Sequence, residues 1–164
     1  MEANLRAILW HQFGAAIDMI EKACHACPDS LWYDRSQKTE FWYTVFHALF
    51  WLDLYLSGSI EGFHPPAPFT LDEIDPAGIV PANPYTKVEL LTYLDYCRTK
   101  CRNVLGRLTD DEAARECAFG WGKATFLELI LYNMRHVQHH AAQLYLMLRR
   151  ETDSTPGWVA QTKS

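Results

Sequence analysis

The stretch NMRHVQHHAAQL, residues 133 to 144, sets three histidines and an arginine inside an otherwise apolar run. Each buried imidazole there needs partners for its ring nitrogens. On an α-helix, residues four apart lie roughly 40° apart around the axis and ~6 Å along it, with Cβ atoms ~5–6 Å apart. His136 and His140 are therefore spaced to grip one ion. Leu129, Asn133, Leu144 and Met147 continue the same stripe, which has the spacing of a core-facing seam, so both rings should point inward. Two neutral imidazoles inside a helical bundle each leave a lone pair in apolar surroundings, and a shared metal satisfies both. The competing reading is a pair of core histidines hydrogen-bonded to the backbone or to Asn133 and Gln143.

A metal needs at least one more ligand, and His47 offers it from a stripe with Tyr43, Phe50, Trp51 and Leu54. Three imidazoles from two facing helices would leave coordination positions open to water or substrate, as in catalytic zinc sites and unlike closed structural ones. Zinc and nickel are the ions best suited to imidazole donors. His139 lies roughly 60° around the helix from His136 and could replace His140, but an outward, solvated ring is the simpler reading. His11, His25 and His64 have no ligand-like spacing and are expected at the surface. Asn133, Gln143 and Asp53 are candidates to accept the outer N–H of a ligand imidazole. Glu128 and Arg135, seven apart, are read as members of a solvated face. CHAC, residues 24 to 27, has redox spacing but ends a helix, without the strand-to-helix context that thioredoxin-like chemistry needs. Cys97 and Cys101, one turn apart, read as small apolar packing groups. A di-iron centre is disfavoured, because the residue three before His136 is Asn133, not a glutamate.

Four long segments with apolar residues at three- and four-residue steps must position these side chains, and no period-two strand of useful length interrupts them. The fold class expected is all-α, a four-helix bundle. The first helix should run from Asn4 to Ala26, with Leu5, Ile8, Leu9, Phe13, Ile17 and Ile20 on its apolar side, and stop at Pro28. The second should run from Thr39 to Leu56 and end at Ser57 and Gly58. Residues 57–85 hold six of the eight prolines, an irregular connection long enough to cross the bundle and let the second and third helices run parallel. Thr86 and Glu89 form a capping box that opens the third helix, which should reach Gly106; Thr125 and Glu128 repeat it for a fourth helix to Glu151. LTDDEAARECAFGWG between them should make a short extra turn. Residues 1–151 then form one bundle, and 152–164 a loose tail held where Trp158 docks.

The composition narrows the function. With 164 residues, 49% hydrophobic and 21% charged, the chain has the make-up of one folded domain. Its net charge of −5 and a basic cluster no longer than Arg149–Arg150 argue against a nucleic-acid partner. The most apolar segment, residues 41–56, is shorter than the ~20 residues that span a bilayer and carries His47 and Asp53, so no membrane partner is expected. Five cysteines without an export signal suggest reduced thiols and a cytoplasmic location. The aromatic excess of the second helix exceeds what one seam uses, and a homodimer surface is expected there.

HALFWLDLYL and LILYNMRHVQHHAAQLYLMLRR together resemble the two signatures of the DinB/YfiT-like family, most specifically in RHVQHHAAQL. Those proteins are four-helix bundles with a metal-binding histidine near the middle of the second helix and an H-x-x-x-H pair on the last. The resemblance covers residues 4–151, and the 57–85 connection is similar to the family's long link between the second and third helices. It implies a metal triad at His47, His136 and His140. It also implies a small-molecule substrate and chemistry with a low-molecular-weight thiol such as bacillithiol or mycothiol, in which the metal lowers the sulfur's pKa. A metal-dependent hydrolase would use the same open site. A non-enzymatic dimeric bundle, its metal structural or absent, is the contrasting reading.

Overall fold

The 41–57 segment has no wet face: large apolar side chains occupy every direction around its axis, so it must be enclosed. In the computed structural model, which describes residues 1–36 and 39–163, it forms α3 (Phe41–Ser57), with thirteen of its seventeen residues buried. Gly58 ends it in the left-handed conformation at φ +73°, where a side chain would also collide with the Arg115 guanidinium. Against it pack α4 (Lys87–Arg107) and α6 (Phe126–Thr152), and α1 (Ala3–Ala26) lies on the opposite side of the bundle between the same two helices.

The expected helix boundaries hold to within two residues. In α1, Leu9, Phe13, Ile17 and Ile20 are buried as predicted, but Leu5 and Ile8 are 40% and 49% exposed. The start of α1 leans instead on a polar corner, where Arg6 donates to the Leu108 carbonyl at 3.4 Å and the terminal amine pairs with Asp110 at 2.7 Å. Pro28 does stop α1, and a further single turn, α2 (Asp29–Trp32), follows it and buries Trp32, whose indole donates to the Tyr85 carbonyl at 3.0 Å. The capping box at Thr86 is complete. Thr125 makes half of its own, accepting from the Glu128 amide at 3.3 Å, because Thr125 is itself the last residue of a strand.

The short extra turn expected for 108–122 is present, and a small hairpin that the sequence did not signal follows it. The segment forms α5 (Asp110–Ala114), capped by Thr109 and Glu112, and then a hairpin of β1 (Glu116–Phe119) and β2 (Gly122–Thr125) in antiparallel register, Glu116 opposite Thr125. Four residues per strand, with only Cys117 and Phe119 alternating inward on β1, are too short a pattern for a period-two signal.

Trp42 and Phe46 at the start of α3 meet Tyr85 just before α4, and Ser57 at the end of α3 meets Lys100 well along α4. The two helices therefore run parallel, as the long crossover allows. Along its way the crossover supplies Phe63, Phe69 and Tyr85 to α3 and α4, with Phe69 stacked on Phe46 at 5.8 Å and on Tyr93 at 4.4 Å. The aromatic excess assigned to a dimer surface is thus absorbed within the chain. Asp53, completely buried, braces the parallel pair by accepting from Tyr93 at 2.9 Å and Lys100 at 2.5 Å. No described helix is long and apolar enough to cross a membrane.

The tail after α6 is not loose, and Trp158 is not what docks it. Thr162 is buried, donates its amide to the His11 carbonyl at 3.0 Å, and sets its side chain against Gly14 of α1. A Cβ on Gly14 would stand 2.5 and 2.8 Å from Thr162 carbons. Gly14→Ala should gain up to ~1 kcal/mol of helix propensity while overpacking costs the tail about 1–2 kcal/mol of docking. Limited proteolysis should then cleave residues 153–163 roughly 5- to 30-fold faster, with no fall in the melting temperature of the bundle.

Candidate metal centre

α3 and α6 run antiparallel, since His47 faces His136 and His140 while Leu52 meets Asn133 further along. One turn of α6 separates His136 from His140, and the facing turn of α3 carries His47. The three rings converge through their Nε2 atoms, with His136 lying 3.3 Å from His47 and 3.0 Å from His140, and one ligand atom from each residue lies within 4.8 Å of the others. Imidazoles bound ~2.1 Å from one ion, at angles between square and tetrahedral, would have nitrogens roughly 3.0–3.4 Å apart. The observed spacings match.

The outer nitrogens decide what the inner ones offer. His47 donates Nδ1–H to Glu73 Oε2 at 2.7 Å, and His140 donates Nδ1–H to Gln143 Oε1 at 2.7 Å. In its neutral form each ring therefore turns a bare Nε2 lone pair toward the centre. A hydrogen on His136 Nε2 could satisfy only one of them, and His136 Nδ1 is buried without a partner. A cation at the meeting point satisfies all three.

Glu73 is the site residue that the sequence did not reveal. It lies in a single 3₁₀ turn, Asp72–Ile74, within the crossover, and its side chain is only 3% exposed. Trp51 also donates to Oε2, at 3.0 Å. Burial opposes the charge on Glu73, but hydrogen bonding and attraction from His47, helped by Tyr43 and Trp51, outweigh it and hold the carboxyl below its usual range. Burial pushes the Tyr43 phenol upward, and the adjacent carboxylate adds to the effect.

The remaining expectations divide. Gln143 orients a ring as predicted. Asn133 uses its amide to donate to the Leu52 carbonyl at 3.0 Å, and Asp53 is engaged by Tyr93 and Lys100, so neither accepts from a site histidine. His139 is exposed and outside the cluster, though its ring lies 5.2 Å from that of His140. His11, His25 and His64 are exposed. Cys24 and Cys27 are free and buried; burial raises both thiols, Cys27 to about 12, which removes the thiolate that redox exchange needs. Cys97 and Cys101 are buried packing groups with raised thiols.

Residues 12–144 match the sequence profile of the DinB superfamily. The chain belongs to the DinB superfamily. Among solved structures it is similar to a DinB-like protein, YjoA, from Bacillus subtilis, at 17% identity and a TM-score of 0.58, with 93% of this chain and 95% of that one covered. At that identity the likeness concerns the fold. No curated protein matches the chain significantly.

In this DinB-superfamily chain the inner rings are held neutral. Burial lowers His136 to about 3, with repulsion from His140 and His47 adding to it; burial likewise lowers His140 to about 4, opposed by its bond to Gln143. Both values fall below the ordinary 6.5, so protonation favours the unfolded chain. The stability that they confer is complete above about pH 6.5 and is lost as pH falls from there toward 4 and 3, by at most ~1.4 kcal/mol per pH unit for each ring. Urea midpoints of metal-free protein should therefore drop between pH 6.5 and 5, and a His136→Asn/His140→Asn variant should flatten that slope.

Proposed function

We propose that the chain is a metal-dependent enzyme of the DinB type, holding one divalent ion, zinc or nickel, on His47, His136 and His140 and carrying out thiol-cofactor transfer on a small-molecule substrate. The observation that carries the reading is the convergence of three Nε2 atoms, two of them on rings whose Nδ1 is bonded to Glu73 or Gln143. Such an ion supplies a Lewis acid that lowers the pKa of a thiol, or in the hydrolytic alternative a water, at its open positions. Glu73 fixes the ring of His47 and compensates part of the ion's charge from behind it. Trp51, Tyr55 and Tyr132 shield the neighbouring turns from water, Tyr55 meeting His136 edge-on at 6.2 Å and Tyr132 at 5.4 Å. Five free, buried thiols suit a reducing compartment, and we place the protein in the cytoplasm. A homodimer would have to use surfaces other than the aromatic face of α3, which the crossover covers.

Purified protein should contain about one zinc or nickel per chain. Replacing His47, His136 or His140 singly by alanine should lower affinity for added zinc at least ~100-fold while helical circular dichroism is kept. A folded protein that never takes up metal would overturn the reading in favour of a non-enzymatic bundle. Metal-loaded protein should accelerate conjugation of a low-molecular-weight thiol to a bimane electrophile more than it accelerates ester hydrolysis; the reverse order would select the hydrolase.

Glu73→Gln keeps the shape of the side chain and removes its charge. Metal competition titrations should show zinc held ~10- to 100-fold more weakly, whereas Asp53→Asn should leave zinc affinity unchanged.

A further inference from the structure

The strap that follows α6 is pinned on both sides of one residue that it does not bury. Tyr145 donates to the Gly157 carbonyl at 3.5 Å, Gln12 donates to the Ala160 carbonyl at 3.2 Å, and Thr162 seats against Gly14. Between these pins Trp158 is 70% exposed. A strap serving only to cover the α1–α6 groove would turn its largest apolar ring inward, since burying an indole is strongly favourable. This one holds the ring out as a wall.

Trp158 faces a cleft of about 670 Å³ whose other walls include Tyr132 and Met134, with His136 and His139 along its border. That volume falls within the ~300–1,000 Å³ of small-molecule sites. Its charge is as informative as its shape. In a chain with 20 acidic residues and a net charge of −5, no aspartate or glutamate among the described residues lines the cleft, while Arg135 does. Among the described residues Arg135 forms no salt bridge, and Glu128, two turns away, leaves it unengaged. Apolar walls beside an unpaired guanidinium fit a flat apolar molecule bearing one carboxylate or sulfonate, which the planar fork of arginine can bind through two parallel hydrogen bonds.

We propose that this cleft is a binding site for a small aromatic or apolar monoanion, stacked on Trp158 and held by Arg135 beside His136. The site is complete without an ion on the three histidines, so it stands or falls separately from the metal reading.

The test uses full-length protein treated with EDTA and two fluorescent probes of like shape, anionic 1-anilinonaphthalene-8-sulfonate and neutral N-phenyl-1-naphthylamine. Wild type should bind one anilinonaphthalenesulfonate per chain. Trp158→Ala should weaken both probes about 10-fold or more, as expected for loss of a stacking surface. Arg135→Gln should weaken the anion about 10-fold and leave the neutral probe within about 2-fold. Both side chains are exposed, so circular dichroism and melting should match wild type. Probe binding unchanged in Trp158→Ala, or an Arg135→Gln variant that does not separate the two probes, would overturn the proposal. So would a wild type that takes up no anion and sediments as a dimer, with Trp158→Ala a monomer; the cleft would then belong to a second copy of the chain.

Discussion

Three imidazole nitrogens within 3.3 Å of their neighbours cannot satisfy one another. The partners behind two of them, Glu73 for His47 and Gln143 for His140, occupy Nδ1 and leave Nε2 as the nitrogen that faces the centre, and burial resists protonation of His136 and His140 in place of a cation. An apolar substitution of the three rings would pack the same space at lower electrostatic cost. The arrangement is therefore poor as a stability device and well suited to an ion. Much of the rest of the fold can be understood as what keeps these rings facing each other. The antiparallel contact of α3 and α6 brings the turns together, and α3, buried on every side, cannot rotate without exposing apolar side chains.

The crossover is the element that joins stability to chemistry. Its aromatic residues cover α3 and α4, so its path is set by apolar burial. On the same path a single 3₁₀ turn delivers Glu73 to the back of His47. At 3% exposure this carboxylate takes two hydrogen bonds at Oε2, while Oε1 is buried without a partner among the described residues. Removing the aromatics would loosen Glu73, and with it the orientation of one ring. A proline-rich connection is thus as much a part of the site as either helix.

How far the residues announced this depends on whether the signal is local. His136 and His140 are legible because helical periodicity alone places them on one stripe, and His47 because its own helix turns it toward the core. The capping box at Thr86 and the helix stop at Gly58 are equally local. Glu73 was not legible: it lies 26 residues from His47 in a segment without periodicity, and only tertiary contact brings them together. Asp53 shows the opposite error. Its place one and a half turns beyond His47 suggested a partner for a ligand ring, but α4 presents Tyr93 and Lys100 to it, and the parallel crossover that places α4 there cannot be read from Asp53.

The tail makes the same point about surfaces. An exposed tryptophan near a chain end reads as the anchor, because burial of its ring is the largest single gain available there. The anchor is instead Thr162, and the reason is steric: α1 has a glycine at position 14, and a small branched side chain fits the hollow left by the missing Cβ where an indole would not. Once Thr162 is seated, the chain between it and α6 has its path fixed by backbone carbonyls that Tyr145 and Gln12 address. Trp158 is then held in place by its neighbours and not by its own packing. A side chain fixed by such means, and left facing a cleft next to His136, is available to contact a ligand without any rearrangement of the fold.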